Sequence, residues 1–193
     1  IVQLHSSLYS NPNDLPQGAV LVVGSAQSGC QITEELYQSG KKVYLATGKA
    51  NRVPRRYRGR DFTKWFTALG IAENTVDTLP SPAARFMPNP HVTGKDGGHS
   101  LNLHQFARDG VTLLGRLTDA DKTKAYFGDD LMDNLAQGDN FEAELKKGVD
   151  GYIEKAGIDA PPDDQPRLRD GYDCEIIPEL DLESRPCITS KNI

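Results

Sequence analysis

The run Ala19-Val20-Leu21-Val22-Val23, followed at once by Gly24-Ser25-Ala26-Gln27-Ser28-Gly29, constrains the fold more than any other stretch of the chain. Five consecutive apolar residues, mostly β-branched, match a strand buried on both faces of a parallel sheet. From Gln27 the spacing changes to Cys30, Ile32 and Leu36, with Gly40 as a stop, which predicts a helix of about three turns. A second strand is predicted at 43–46. Strand, glycine turn, helix and strand make a right-handed βαβ unit, and the fold class is α/β: a Rossmann-like parallel sheet flanked by helices.

The rest of the chain is read around that unit. Residues 1–18 hold Asn11, Pro12, Asn13, Pro16 and Gly18, turn formers that predict a linker. Asp61 is placed to cap a short helix carrying Phe62, Trp65, Phe66 and Leu69, closed by Gly70. The stretch 71–99, with Pro80, Pro82, Pro88 and Pro90, predicts loop with short helical turns. A helix follows over 100–108 and a third strand over 111–117. Leu131, Leu135, Phe141, Leu145, Val149, Tyr152 and Ile153 stand at helical spacing, so a long or broken helical excursion is expected around 129–156. Weak strand signals remain at 174–177 and 186–189. With 193 residues, 37% of them hydrophobic, residues 19–193 suffice for one such domain.

No apolar run reaches the roughly 18 residues that span a bilayer, and no basic-then-apolar leader follows Ile1. Cys30, Cys174 and Cys187 are odd in number and at unrelated spacings, which argues against a disulfide scaffold or a metal site. A cytoplasmic location is the expectation.

Charge is segregated. Residues 41–60 carry eight bases and no acid, whereas 119–183 carry 19 acids and 7 bases, within a net charge of -5. An acidic body disfavours nucleic acid, and Tyr57 alone supplies little stacking; one basic patch suits a small anionic ligand.

The glycine turn supplies the chemistry. Its form is G-x-A-x-S-G: Gly24 for the tight turn, Gly29 for close helix packing, and amides of the first helical turn aimed at a pyrophosphate. Ala26 puts a methyl group where this fingerprint usually has glycine. At the end of the second strand, where an Asp or Glu would accept both ribose hydroxyls of NAD, there is no acid; Thr47, Lys49 and Arg52 stand there instead. Those donors suit a 2′-phosphate, so the expected cofactor is NADP, held by Gly24, Ser25, Ala26, Gln27, Ser28 and Gly29 together with Thr47, Lys49 and Arg52. Arg55, Arg56, Arg58 and Arg60 read as a solvated basic loop.

On these residues the chain resembles flavin-dependent monooxygenase-like oxidoreductases, the group of flavin-containing and Baeyer–Villiger monooxygenases. The turn with Ser28 looks like their second, nicotinamide-cofactor glycine motif; Leu4-His5-Ser6-Ser7-Leu8-Tyr9 resembles the His-Ser-x-x-Tyr linker upstream of it; Arg52-Val53-Pro54-Arg55 resembles the stretch after the second strand. The resemblance covers residues 1 to about 60 well, with a weaker echo in 110–116. It implies that 1–18 is a linker from an FAD domain absent from the chain, that NADPH docked here passes hydride to that FAD, that a small-molecule substrate belongs to the parent protein, and that the fragment alone is inactive, with no catalytic residue of its own. A disulfide-reductase-type flavoprotein and a nucleotide-sensing module are the alternatives. His5 is then a linker residue involved in domain positioning, or simply a polar residue in coil. Cys30 and Trp65 are expected to pack, and His91, His99 and His104 have no acid or Cys partner at ligand spacing.

Overall fold

A computed structural model describes residues 2–86, 90–163, 177–181 and 187–189. The strands β1 (Gln3–His5), β2 (Val20–Val23), β3 (Val43–Ala46), β6 (Thr112–Leu114) and β10 (Cys187–Thr189) form one parallel sheet in the order β1-β10-β2-β3-β6. Helix α1 (Gln27–Gln38) carries the chain from β2 to its neighbour β3, as the spacing predicts. The chain steps from β2 to β3 to β6 in one direction and lays β10 on the opposite side of β2. Strand order therefore reverses between β2 and β10, and in open α/β sheets the crevice beyond the carboxyl ends of such strands is where ligands bind.

Side chains alternate across this sheet because strand periodicity is two. Val20, Val22, Val43, Leu45 and Leu113 face one way and pack with Cys30, Ile32 and Leu36 of α1, with Leu103 and Phe106 of α3 (Leu103–Arg108), and with Leu131 and Leu135 of α4 (Leu131–Ala156). Leu21, Ala46 and Leu114 face the other way and meet Ala125, Phe127 and Leu180. Those partners lie on an antiparallel sheet of β7 (Leu117–Ala120), β8 (Lys124–Phe127) and β9 (Glu179–Asp181).

Two sequence expectations change, and one weak strand signal holds. The linker over 1–18 contains β1, an edge strand of the main sheet, and two turns of 3₁₀ helix. The third strand over 111–117 divides into β6 and β7 at Gly115. A Cβ there would lie 1.9 Å from the Gly128 carbonyl oxygen, so only glycine lets the two backbones approach as the chain leaves one sheet for the other. Asp130 accepts from the Arg116 amide at 2.8 Å and holds this exit. The tail signal at 186–189 is β10, an interior strand; that at 174–177 falls almost wholly outside the described residues.

Helix α4 is one unbroken helix of 26 residues, about 39 Å long at 1.5 Å per residue. Its start belongs to the main core, whereas Val149 and Ile153 pack on Tyr57 and Trp65. Tyr57 lies on the hairpin of β4 (Arg56–Tyr57) and β5 (Arg60–Asp61), and Trp65 on α2 (Phe62–Ala68), which Asp61 caps by accepting from the Thr63 amide. Trp65 is buried and donates its indole N–H to the Tyr57 carbonyl, so it packs as expected.

Candidate functional site

The turn after β2 sits at the strand-order reversal. Gly24 adopts φ +101°, a conformation open to glycine, and donates to the Ala46 carbonyl at 2.9 Å. Buried Ser25 donates its hydroxyl to the Gly48 carbonyl and accepts the Gly48 amide at 3.0 Å. The loops following β2 and β3 are thereby tied together, and the first of them borders the crevice beyond the end of β2. Ala26 is the N-cap of α1, with no side-chain capping bond. The Cys30 amide makes a helical bond back to the Ala26 carbonyl, so the amides of Gln27, Ser28 and Gly29 stand ahead of it at the positive end of the helix dipole. The Gln27 side chain bonds both the carbonyl and the amide of Val92, clipping the segment 90–93 beside the helix start.

Cys30 is fully buried and donates to the Ser25 carbonyl, and burial pushes its thiol well above the ordinary range. It is a packing residue beneath the turn, protonated at neutral pH. His5 caps the 3₁₀ turn after β1 by accepting from the Ser7 amide at 3.2 Å.

The loop after β3 distributes its three expected ligands unequally. Thr47 is 2% exposed, donates to the Leu114 carbonyl at 2.8 Å and accepts from the Asn134 amide group of α4 at 3.2 Å. Lys49 is exposed and adjoins Gly48, the residue bonded to Ser25. Arg52 is 6% exposed; its Nη2 lies 2.7 Å from Asp139 and its Nε 2.5 Å from Glu142, both on α4. Turn and Lys49 are brought together, while Thr47 and Arg52 are committed to partners inside the protein.

Around Arg52 lies a buried polar cluster that sequence reasoning missed. Asp139 also meets His104 at 3.1 Å, and Glu142 meets Lys146 at 2.9 Å. Burial alone would raise the Glu142 carboxyl, but Arg52 and Lys146 hold it below the usual carboxylate range. His91 pairs its backbone with the Arg52 strand segment, and its buried imidazole is pushed down to about 4 by loss of water and then by the Arg52 charge. The signal for the acids was their spacing: positions 139 and 142 share one face of α4.

The expected solvated loop of arginines is corrected in part: Arg56 and Arg60 are exposed, while Arg55 and Arg58 are half-buried. Arg55 pairs with Asp61 at 2.9 Å, Arg56 donates to the Gly97 and Gly98 carbonyls, and Arg58 lies 3.6 Å from Asp150. Arg52 and Arg58 take acids of α4 as counter-ions, so part of the segregated charge is neutralised across the fold. His99 and His104, without acids at short spacing, find Glu34 and Asp139 in space. Among the described residues, no cluster of three or more His, Cys, Asp or Glu could hold a metal ion, and no helix is long and apolar enough to cross a membrane.

No family model matches the chain. It is similar to a protein named uncharacterized oxidoreductase CzcO-like from Geobacillus kaustophilus, 42% identical over 102 residues, 52% of this chain and 29% of that one. It is also similar to the uncharacterized oxidoreductase CzcO of Bacillus subtilis, 30% identical over 129 residues, 67% of this chain and 36% of the relative. A third relative, the CzcO oxidoreductase of Bacillus velezensis, is 38% identical over 71 residues. The chain spans about a third of the length of the curated relatives it matches, or less.

Proposed function

We propose that this chain is the nicotinamide-nucleotide-binding part of an FAD-dependent, monooxygenase-like oxidoreductase, binding NADPH and presenting it to a flavin domain outside the chain. The observation that carries this reading is the placement of the Gly24–Gly29 turn at the strand-order reversal, with the α1 amides ahead of their first helical bond. The oxidoreductase names of its relatives support the redox role. The residues fit the nucleotide: Gly24 makes the turn, the Gln27, Ser28 and Gly29 amides meet the pyrophosphate, and the Ser25–Gly48 bridge fixes the ribose wall. Lys49 supplies an exposed cation at the 2′ end. When bound, the nicotinamide supplies the hydride. The chain itself binds and orients, and a small-molecule substrate would be met by the rest of the protein.

The test exploits a conflict between helix and ligand. Ala26→Asp puts a carboxylate at the N-cap, which favours α1, but places a negative charge where the pyrophosphate docks. Calorimetric titration with NADPH is expected to show saturable binding by the wild type and affinity at least about tenfold weaker in Ala26→Asp, with an unchanged or raised thermal midpoint. No binding by the wild type, or equal binding by both proteins, overturns the reading.

A further inference from the structure

We infer that helix α4 is the splint that shapes the nucleotide-reading loop 47–52, with Asn134, Gln137, Asp139 and Glu142 as positioning residues, Arg52 as its lock and Lys49 as the residue left to meet a 2′-phosphate. The inference rests on the nucleotide-binding reading and deepens it. Four residues within nine positions of one helix grip three of that loop's six residues, Thr47, Asn51 and Arg52. Asn134 donates to Thr47 at 3.2 Å, Gln137 donates to the Asn51 side chain at 3.0 Å, and Asp139 and Glu142 hold Arg52. Between them Gly138 brings the helix close: a Cβ there would stand 3.4 Å from the Ala50 carbonyl oxygen and 3.6 Å from the Arg52 Cβ. Lys49 faces solvent.

The loop is therefore held from its far side, away from Gly48 and its bridge to Ser25. A guanidinium that already satisfies two carboxylates gains little from a third anion, because leaving them would take the shared cation away from two buried charges. Lys49 has no such penalty. One exposed ammonium contact corresponds to a preference for NADP over NAD of about fivefold at low salt, fading as salt screens it.

The test compares NADP and NAD affinities, by calorimetry, in the wild type and four variants, with thermal midpoints measured alongside. Lys49→Ala is expected to bring the two affinities to within about twofold of each other while leaving NAD binding and the midpoint unchanged. Glu142→Gln, which leaves Arg52 paired with Asp139, and the milder Gln137→Ala should weaken both nucleotides together, by about threefold or more, with the NADP-to-NAD ratio preserved. Val149→Ala lies on α4 but packs against Tyr57 and Trp65, away from the loop, and supplies a control in which the helix is destabilised without either affinity moving. If Glu142→Gln raises the ratio, Arg52 is a phosphate reader held in reserve and the inference is overturned. It is equally overturned if affinities follow the midpoint in Val149→Ala, or if Glu142→Gln and Gln137→Ala leave them untouched. A wild type that binds neither nucleotide overturns the nucleotide reading and this inference with it.

Discussion

The Arg52 guanidinium lies 2.7 Å from the Asp139 carboxylate, joining the loop after β3 to the middle of helix α4. Both side chains are largely withdrawn from water, so each is a principal counter-ion of the other, with Glu142 and His104 completing the cluster. The consequence reaches beyond the pair. Eight bases in 41–60 look, along the chain, like an anion-binding patch, yet in space Arg52 and Arg58 face acids of α4. Lys49, by contrast, is exposed and stands beside Gly48, the residue bonded to Ser25.

Breaking that pair should be costly in one direction. Arg52→Met removes the cation that Asp139 and Glu142 share, leaving them His104 and Lys146, and is expected to lower stability by about 3 kcal/mol. Arg55→Ala removes a pair with Asp61 that is a quarter exposed on the arginine side, and about 1 kcal/mol or less is expected. Urea unfolding followed by circular dichroism measures both; similar losses in the two variants would remove the special role given to Arg52.

His91 makes stability depend on pH over a defined window. Its folded value, about 4, lies below the ordinary 6.5 of the unfolded chain, so between those values the unfolded chain holds a proton that the folded protein refuses. Lowering the pH from about 6.5 toward 4 therefore favours unfolding, by about 3 kcal/mol at most from this residue. The lowered Glu142 acts in a more acidic range, since stability from a carboxyl depressed by folding is lost only below its unfolded value near 4.5. Thermal melts between pH 7 and 5 are expected to fall in the wild type and to flatten in His91→Leu; parallel slopes would show that His91 is not the group responsible.

How much of this was legible in the sequence depends on the range over which each feature is encoded. The β2–α1–β3 unit, the Asp61 cap and α4 are local: apolar period, a capping residue and a glycine stop suffice, and their bounds match to within about a residue or two. The strands β1, β7 and β9 were not legible, because three or four residues with an exposed face carry no period that outweighs turn formers nearby; they become strands through their partners. The Arg52 cluster was hidden for a related reason. Residues 52, 139 and 142 meet only because α4 folds back over the β3 loop, and a charge count along the chain cannot distinguish a patch awaiting a ligand from one already neutralised.

Two glycines predict opposite outcomes from the same substitution. At Gly115 an added methyl group would stand 1.9 Å from a backbone oxygen of Gly128, and since backbone cannot swing aside as a side chain can, the junction between the parallel and antiparallel sheets must move. Gly115→Ala is expected to destabilise by about 2 kcal/mol or more. At Gly148, inside α4, nothing lies within 4 Å of the new methyl group, and alanine there raises helix propensity while reducing the freedom of the unfolded chain. Gly148→Ala is expected to stabilise by about 0.5–1 kcal/mol and, being remote from the β3 loop, to leave nucleotide affinity unchanged. Chemical denaturation of the two single variants reads both signs. A neutral Gly115→Ala would mean that β6 and β7 do not part at that residue, and a destabilising Gly148→Ala would mean that α4 is not the continuous helix on which the splint depends.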